Sequence, residues 1–318
     1  MFDKIISLEN LFDAWTEFKK EKANKNDVAE FEVNLEDHVF ALHDDLKNGT
    51  YKHGGYFSFF VHDPKRRHIH KAPVRDRLLH HAVHRIIEPI WNKAFIFDSW
   101  SSRKTKGTHA AVRRLQDLAL RLSHNYTRTL WVLKLDVTKF FDSVDHKILL
   151  DILSKRTEDD RLMNLFREII ESFSPGLPLG NLTSQLFANV YMNKLDQFVK
   201  NELRIKGYVR YADDFVLIHE DKELLIDCRY KIEDFLREHL HLKIHPKKLT
   251  LKTYASGVDY LGYVSFPHHR VIRTKTKRRM FRRVNKKNFS SYSGILKLCR
   301  SSGLQKQLEE AVETSCID

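Results

Sequence analysis

Apolar residues recur at helical spacing through the first fifty residues of the chain. Positions 35, 39, 42 and 46 are all Leu or Val, and Gly49 follows as a stop signal. Two strand-like runs then flank a Pro-Lys-Arg-Arg sequence, which predicts a basic hairpin. The next stretch, residues 75–91, returns to helical periodicity, and we expect that helix to end near Pro89.

The second half of the chain mixes both periodicities. The largely apolar run from Leu130 to Leu135, interrupted by Lys134, predicts a buried strand that ends at Asp136. A glycine-proline loop opens onto a helix with Thr183 or Ser184 as its cap. Further helices are predicted at 145–156, 160–173 and 226–240, and short strands at 242–245 and 259–266. Interleaved helices and strands around an antiparallel hairpin indicate the α+β fold class.

Two adjacent acids stand between short apolar runs in "GYVRYADDFVLIHED", residues 207–221. Neighbouring side chains of a strand point to opposite faces, so Asp213 and Asp214 can face one site only at a turn. Asp136 would lie beside that turn if the two strands pair. Three converging carboxylates favour a divalent cation, and oxygen ligands select Mg²⁺ or Mn²⁺. Taken alone, the Asp-Asp pair is equally consistent with a solvated hairpin turn.

The charge of the chain points to a polyanionic partner. Its 318 residues carry a formal net charge of +13, which favours nucleic acid or an anionic surface. No apolar run approaches the length that spans a bilayer, and the N-terminus lacks the order of a signal peptide. The three cysteines are scattered and odd in number, which is typical of a reducing compartment. We therefore expect a cytoplasmic protein without a membrane partner.

Basic residues are concentrated between residues 268 and 288, where no acid occurs. Such an unneutralised run repels itself and usually serves a polyanion, although a solvated helix face is the alternative. The residues predicted to bind nucleic acid there are Arg273, Lys275, Lys277, Arg278 and Arg282.

Seven stretches occur in an order that resembles the reverse transcriptases of bacteria, in the lineage of group II intron proteins. "YADDFVLI" resembles the signature of that family, and "KLDVTKFFDSVDH" resembles its first catalytic motif. "GLPLGNLTSQLFANVYMNKLD" resembles the template-and-nucleotide loop, "HLKIHPKKL" the following motif, and "VDYLGYVSF" the primer grip. Residues 65–91 and 97–116 resemble the fingers. The resemblance implies a right-hand polymerase with fingers, a palm and a short helical thumb.

The resemblance also implies roles for the acids. Asp136 and Asp213 would bind two Mg²⁺ ions, for which Mn²⁺ is able to substitute, and Asp214 would complete the cluster. Val137 would lend a backbone carbonyl to the metal site. Lys248 matches the lysine that protonates the leaving pyrophosphate. The implied domains are 1–126 (N-terminal helices and fingers), 127–265 (palm) and 266–318 (a short basic thumb).

Other residues are implied in nucleotide binding. Phe141 matches the aromatic that excludes a 2′-hydroxyl, although a core phenylalanine paired with Phe140 is the alternative. Lys65, Arg67 and Arg75 match the fingers residues that close on the triphosphate. Arg77 is equally able to serve the scaffold through an acid such as Asp76 or Glu88. The residues of the loop motif with an implied nucleotide contact are Leu179, Gly180 and Gln185.

One departure narrows the lineage. Most relatives carry Pro-Gln-Gly and then Ser-Pro in the loop, whereas this chain has Leu179 in place of the glutamine and Gln185 in place of the proline. "GNLTSQ" and the C-terminal "SYSGILKLC" resemble enzymes of diversity-generating retroelements, which copy a template RNA into cDNA with errors at adenines. Losing the glutamine amide removes a hydrogen bond that could hold the correct pair, although a harmless core leucine is the alternative. Only about fifty residues follow "YLGYV", so we do not expect a splicing intron protein.

The resemblance leaves the biological role open. The implied partners are template RNA, cDNA, deoxynucleotide triphosphates, and either a basic oligomeric accessory protein or a dedicated non-coding RNA. A defence-associated bacterial reverse transcriptase that uses such an RNA is the main alternative. A catalytically silent RNA-binding scaffold is a third, and the intact acidic trio speaks against it.

Overall fold

A computed structural model of the chain describes residues 1–20, 22–62, 66–299 and 302–314. These residues divide into two compact units. The first unit comprises Met1–Phe97, Val137–Phe198 and Ile232–Ile244, and the second comprises Asp98–Asp136, Val199–Lys231 and His245–Asp318. The three-part division implied by the resemblance stays a prediction.

The elements alternate along the chain as the hydrophobic pattern predicts. The described helices are α1 (Phe2–Ile6), α2 (Leu8–Lys19), α3 (Asn26–Val33), α4 (Leu35–Asn48), α5 (Val74–Asn92), α6 (Thr108–Leu122), α7 (His146–Ser154), α8 (Asp160–Glu171), α9 (Leu182–Gln197), α10 (Lys222–Leu240), α11 (Thr274–Arg283), α12 (Phe289–Leu296) and α13 (Ser302–Thr314). The described strands are β1 (Phe57–Val61), β2 (Arg67–Lys71), β3 (Trp131–Asp136), β4 (Gly207–Tyr211), β5 (Asp214–His219), β6 (Thr250–Thr253), β7 (Val258–Tyr260), β8 (Tyr263–Ser265) and β9 (Arg270–Ile272).

Helix α5 is central to the first unit, where it packs against α1, α2 and α9. Its buried face carries Leu78 and Val83, which are removed from solvent. The predicted stop at Pro89 is wrong, because α5 continues to Asn92. Proline removes one backbone donor, but Trp91 in the same last turn is buried, and its packing keeps that turn helical.

The basic hairpin predicted from the sequence is confirmed in the first unit. Strands β1 and β2 pair antiparallel from Phe57 opposite Lys71 to Val61 opposite Arg67. Both strands are largely exposed, and cross-strand side-chain pairs support the hairpin, such as Phe60, whose ring stacks on that of His68 at 4.5 Å.

The second unit is built on a four-stranded antiparallel sheet with the order β4-β5-β3-β6. Helix α6 packs against β4 and β5. Most of the apolar run predicted to be buried in β3 is buried, including Leu133, although Trp131 is half-buried; Leu217 of β5 is buried as well. A strand buried on both faces needs a continuous apolar run, and the central residues of β5, Phe215–Ile218, form one.

A second sheet, β7-β8-β9, and the helices α11, α12 and α13 complete this unit. The single strand predicted at 259–266 is wrong, because Leu261 (φ 52°) and Gly262 (φ 92°) turn the chain between β7 and β8. Met280 and Leu308 from the helices join the same hydrophobic core as Tyr260. No helix within the described ranges is long and apolar enough to cross a membrane.

Two local predictions in the first unit also need correction. Residues 242–245 do not form a strand, since only Ile244 makes an isolated bridge, to Val137, before Pro246 starts a short 3-10 helix. Helix α9 begins two residues earlier than a Thr183 cap requires, with Asn181 at the N-cap position.

Candidate active site

The two acids of the hairpin and the acid of β3 meet at one end of the sheet in the second unit. Asp136 and Asp214 are direct partners in the register between β3 and β5. The turn between β4 and β5 contains only two residues, Ala212 and Asp213. The predicted hairpin with both acids at its tip is therefore confirmed, with Asp213 in the turn and Asp214 as the first strand residue.

The turn is held by a buried arginine. Ala212 has φ 54°, a left-handed conformation that costs a residue with a Cβ about 1 kcal/mol. Arg210 is fully buried, and its Nη1 donates to the carbonyl oxygen of Ala212 at 3.0 Å while its Nη2 donates to Ser99 Oγ at 3.0 Å. The guanidinium thus fixes the turn that carries Asp213.

Arg210 is not among the site residues that the sequence predicts. The available signal was a charged residue within the apolar run of "GYVRY", since arginine is almost never fully buried unless it is hydrogen-bonded.

Asp214 lies in a desolvated environment with one strong partner. Its Oδ2 is 3.1 Å from Lys134 Nζ, which also donates to the carbonyl oxygen of Asp259 at 2.8 Å. Burial, together with the nearby carboxylates of Asp136 and Asp213, raises the pKa of Asp214 to about 6 against the opposing effect of Lys134. Its Oδ1 is buried and has no hydrogen-bond partner.

Asp136 is held from two sides. Lys248 donates from Nζ to Asp136 Oδ1, so the predicted catalytic lysine lies at the acid cluster. The carbonyl oxygen of Asp136 accepts from the backbone N–H of His245 at 2.7 Å. Because Lys248 N in turn donates to His245 O at 3.0 Å, the short 3-10 helix positions the lysine against the strand end.

The donor set suits a divalent cation, although it is not preassembled. No three His, Cys, Asp or Glu side chains in the described ranges form a ready-made metal-binding group. Lys134 binds one oxygen of Asp214, and Lys248 binds one oxygen of Asp136. The two ammonium groups reduce the repulsion between the carboxylates. The Oδ1 of Asp214 has no hydrogen-bond partner, and leaving a buried oxygen unsatisfied is costly. This oxygen is therefore a suitable ligand for a hard cation.

The residues predicted to contact the triphosphate differ in their exposure and in their ion pairs. Lys65 lies outside the described residues. Arg67 is exposed on β2. Arg75 forms an ion pair with Asp45 and donates to the carbonyl oxygen of Lys52 at 3.4 Å, so its guanidinium has a structural partner.

The structure decides between the alternatives given for Arg77 and for Phe141. Arg77 forms its ion pair with Asp27, rather than with Asp76 or Glu88. Phe140 is buried, whereas its neighbour Phe141 is only half-buried, and the two rings meet edge to face at 5.4 Å. Phe141 is therefore not the core member of the pair.

The loop motif lies against the basic hairpin. Leu179 is half-buried, and its carbonyl oxygen accepts from the backbone N–H of His70 at 2.8 Å. Gly180 has φ 130°, and a Cβ there would lie 2.9 Å from the carbonyl oxygen of His70. Gln185 is exposed on the first turn of α9. Val137, predicted to lend a carbonyl, is buried in this same unit.

The basic residues near residue 280 fall partly on one helix face. Lys275, Arg278 and Arg282 are exposed on α11 at a spacing of three and four residues, which aligns them along one side. Lys277 is half-buried. Arg273 precedes the helix and donates from Nε to Asp259 Oδ1 at 2.7 Å, so an acid already neutralises it.

Carboxylates on paired strands of an antiparallel sheet, with lysines at their oxygens, suit a site that binds divalent cations and phosphate groups. Residues 61–265 match the family model described as "Reverse transcriptase (RNA-dependent DNA polymerase)". The match covers more than half of the chain, which therefore belongs to the reverse transcriptase family. Members of this family generally use divalent metal ions.

Curated relatives are similar at low identity. Protein YkfC of Escherichia coli is 26% identical over 282 residues, covering 74% of this chain and 71% of that protein. The group II intron-encoded protein LtrA of Lactococcus lactis is 22% identical over 224 residues, covering 65% of this chain and 36% of LtrA. A putative COX1/OXI3 intron 2 protein of Saccharomyces cerevisiae is 22% identical over 260 residues, covering 59% of this chain and 29% of that protein. The chain thus spans only about a third of these intron proteins.

Solved structures confirm the fold. Telomerase from Candida albicans superposes with a TM-score of 0.56 at 11% identity, covering 81% of this chain and 53% of that one. Apo telomerase from Candida tropicalis superposes with a TM-score of 0.55 at 10% identity, covering 76% and 53%. The predicted α+β right-hand polymerase fold is therefore confirmed.

Proposed function

We propose that this chain is an RNA-directed DNA polymerase that copies a dedicated template RNA into cDNA by two-metal nucleotidyl transfer. The observation that carries the proposal is the pairing of Asp136 with Asp214 across β3 and β5, with Asp213 in the adjoining turn. Acids on two neighbouring strands are what the reaction requires, because charge builds up at both the attacking and the leaving oxygen.

The acids and lysines of the second unit divide the chemical work. Asp136, Asp213 and Asp214 would hold the two Mg²⁺ ions, or Mn²⁺ in their place. When bound, these ions supply Lewis-acid activation of the primer 3′-hydroxyl and neutralise the departing pyrophosphate. Lys248, at Asp136 Oδ1, would donate a proton to the bridging oxygen as its bond to the α-phosphorus breaks. Lys134 would keep Asp214 oriented through its contact with Oδ2.

Residues of the first unit would select and bind the deoxynucleotide triphosphate. The half-buried Phe141 presents an aromatic edge that would collide with a 2′-hydroxyl. The exposed guanidinium of Arg67, with Lys65, would bind the triphosphate, while Arg75 would have to leave Asp45 to do so. Gly180 and Gln185 would border the nucleotide. The exposed face of α11 would bind the RNA–cDNA duplex through its phosphates.

The proposal extends to a diversity-generating retroelement with low fidelity at adenines. Its support is the sequence "GNLTSQ" and the half-buried Leu179, which offers only apolar contact where most relatives place a glutamine amide. A missing hydrogen bond lowers the penalty for a wrong pair. A basic oligomeric accessory protein or a dedicated non-coding RNA would then be its partner.

Primer extension on defined RNA and DNA templates with Mg²⁺, followed by sequencing of the products, tests the proposal. Asp213→Ala should abolish extension, whereas Asp234→Ala, at an exposed position on α10, should not. Misincorporation opposite adenine supports the retroelement role, and accurate or untemplated synthesis favours a defence role. If no extension occurs even with the co-transcribed RNA and accessory proteins, the polymerase proposal fails and the alternative of an RNA-binding scaffold stands.

A further inference from the structure

A partly buried chain of hydrogen bonds lies beside the loop motif in the first unit. Its first branch runs from Thr183 on α9 through His80 on α5 to His53. Its second branch runs from Asn181 through Tyr56 to Ser172. His80 is 2% exposed and Asn181 is 2% exposed, so neither is a surface residue that contacts nucleic acid directly.

The proton positions of the first branch follow from its fixed acceptor. His53 Nδ1 lies 2.6 Å from the carbonyl oxygen of Gly54, which can only accept, so a neutral His53 exposes Nε2 as an acceptor. His80 Nε2 lies 3.1 Å from that nitrogen and is assigned as the donor. His80 Nδ1 then accepts from the hydroxyl of Thr183 at 2.5 Å. Burial lowers the pKa of His80 well below its usual value, which agrees with a neutral ring.

The second branch is directional as well. The hydroxyl of Ser172 donates to the carbonyl oxygen of Ile169 at 2.7 Å, so it accepts from Tyr56 at 2.9 Å. Tyr56 in turn accepts from Asn181 Nδ2 at 3.2 Å. The Oδ1 of Asn181 is buried without a partner and forms no helix-capping bond, so this amide serves the chain of hydrogen bonds and not the helix.

The two branches bind the loop at Asn181 and Thr183, on either side of Leu182. The basic hairpin binds the other end of the loop at Leu179. Leu179 is bound through its carbonyl oxygen to His70 N at 2.8 Å. Gly180 follows with a conformation that tolerates no Cβ against His70. Leu179 and Gly180, two of the predicted nucleotide contacts, are therefore held by hydrogen bonds at Leu179 on one side and at Asn181 and Thr183 on the other, and have little freedom to shift.

We propose that Thr183, His80, Tyr56 and Asn181 are positioning residues that set nucleotide selectivity by fixing the loop at Leu179 and Gly180. The proposal rests on the proposed polymerase function. With Leu179 in place of an amide, the loop discriminates by shape alone, and shape discrimination depends on how firmly the apolar surface is held. Thr183, His80 and Asn181 are buried, so they would act on the nucleotide through the loop.

Thr183→Val and Thr183→Ser form the matched test, since valine keeps the shape of threonine while serine keeps its hydroxyl. We expect Thr183→Val to raise the KM for deoxynucleotides about tenfold and to change the misincorporation ratio, with kcat within about twofold of the wild type. Thr183→Ser should restore both. A merely structural role would lower the yield of active enzyme without moving KM, and an unchanged KM and error ratio would overturn the proposal.

A second readout does not depend on activity. In hydrogen exchange, the amide of His70, which donates to Leu179, should exchange faster in Thr183→Val and in Tyr56→Phe than in the wild type or Thr183→Ser. Unchanged exchange in both variants would overturn the positioning role. If the wild type fails to extend primers, the polymerase function fails, while the exchange comparison still decides whether the hydrogen-bond chain holds the loop.

Discussion

Asp136 and Asp214 lie directly opposite each other in the antiparallel register of β3 and β5. Directly opposed residues of such a pair have their Cα atoms about 4.5–5.5 Å apart and their side chains on one face of the sheet. Two carboxylates are therefore aimed at the same side of the strand ends, and Lys248 and Lys134 hold one oxygen of each. The catalytic predictions follow from this pairing.

Replacing either acid should remove catalysis without unfolding the chain. Asp136→Asn or Asp214→Asn removes a metal-binding charge while keeping size, and should lower extension by more than about a hundredfold. Mg²⁺ should raise the thermal midpoint of the wild type and leave that of the variants nearly unchanged. Asp234→Asn is the matched control, and an equal loss of extension in it would contradict the assignment.

Removing the buried arginine should destabilise the turn. Arg210→Ala leaves the carbonyl oxygen of Ala212 and the hydroxyl of Ser99 without their donors, and should lower the free energy of unfolding by about 2–4 kcal/mol. Ser99→Ala removes only one acceptor and should cost about 1 kcal/mol. Urea denaturation compares the two, and equal effects would show that the bond to Ala212 adds nothing.

A methyl group at the loop should impair nucleotide binding. In Gly180→Ala the new Cβ meets the carbonyl oxygen of His70 at 2.9 Å with φ 130°, so the loop must move away from the hairpin. We expect the KM for deoxynucleotides to rise by about tenfold. Gly55→Ala is the control, because a Cβ there meets nothing within 4 Å. A wild-type KM in Gly180→Ala would argue that the loop does not border the nucleotide.

Asp145, the N-cap residue of α7, should make the free energy of unfolding depend on pH in the acid range. Burial alone would raise the pKa of Asp145, but the N–H of Ile148, the side chain of His241 and the N–H of Lys147 together hold it below its usual value. A depressed pKa contributes stability that is present above the unfolded value of about 3.9 and is lost as pH falls through the lower folded value.

Asp145→Ala should therefore cost about 1 kcal/mol in the free energy of unfolding at neutral pH, and this difference should shrink below about pH 4. Asp145→Asn keeps a capping oxygen and should cost less. Urea denaturation at the two pH values checks both, and a pH-independent difference between wild type and Asp145→Ala would rule out the charge contribution.

The basic face of α11 should appear in the salt dependence of binding. Neutralising Lys275, Arg278 and Arg282 to glutamine should weaken RNA–DNA duplex binding and reduce the slope of log affinity against log salt by about 2–3. Arg273→Gln should change the slope less, because Asp259 already neutralises that guanidinium. Fluorescence anisotropy over a salt series measures both, and an unchanged slope in the triple variant would exclude this face as the duplex contact.

Much of the site was predictable because its signals are local. The apolar run before Asp136 and the two runs around Asp213 specify strands that end at acids, and a two-residue loop makes a hairpin. The helix boundaries were less predictable. Helix α5 continues past Pro89, and the burial of Trp91 that accompanies this last turn is a tertiary contact. Arg75 was assigned to the triphosphate by resemblance, and its partner Asp45 could not be known from spacing.

The sequence by itself determined the acids, the strands and the turn, because a period of two and the backbone demands of a tight loop are properties of neighbouring residues. Only the tertiary structure decided that β3 lies beside β5, so that Asp136 faces Asp214, and that Arg210 and His80 are buried among polar partners. Strand order and desolvation depend on contacts between residues far apart in the chain, and no local pattern encodes them.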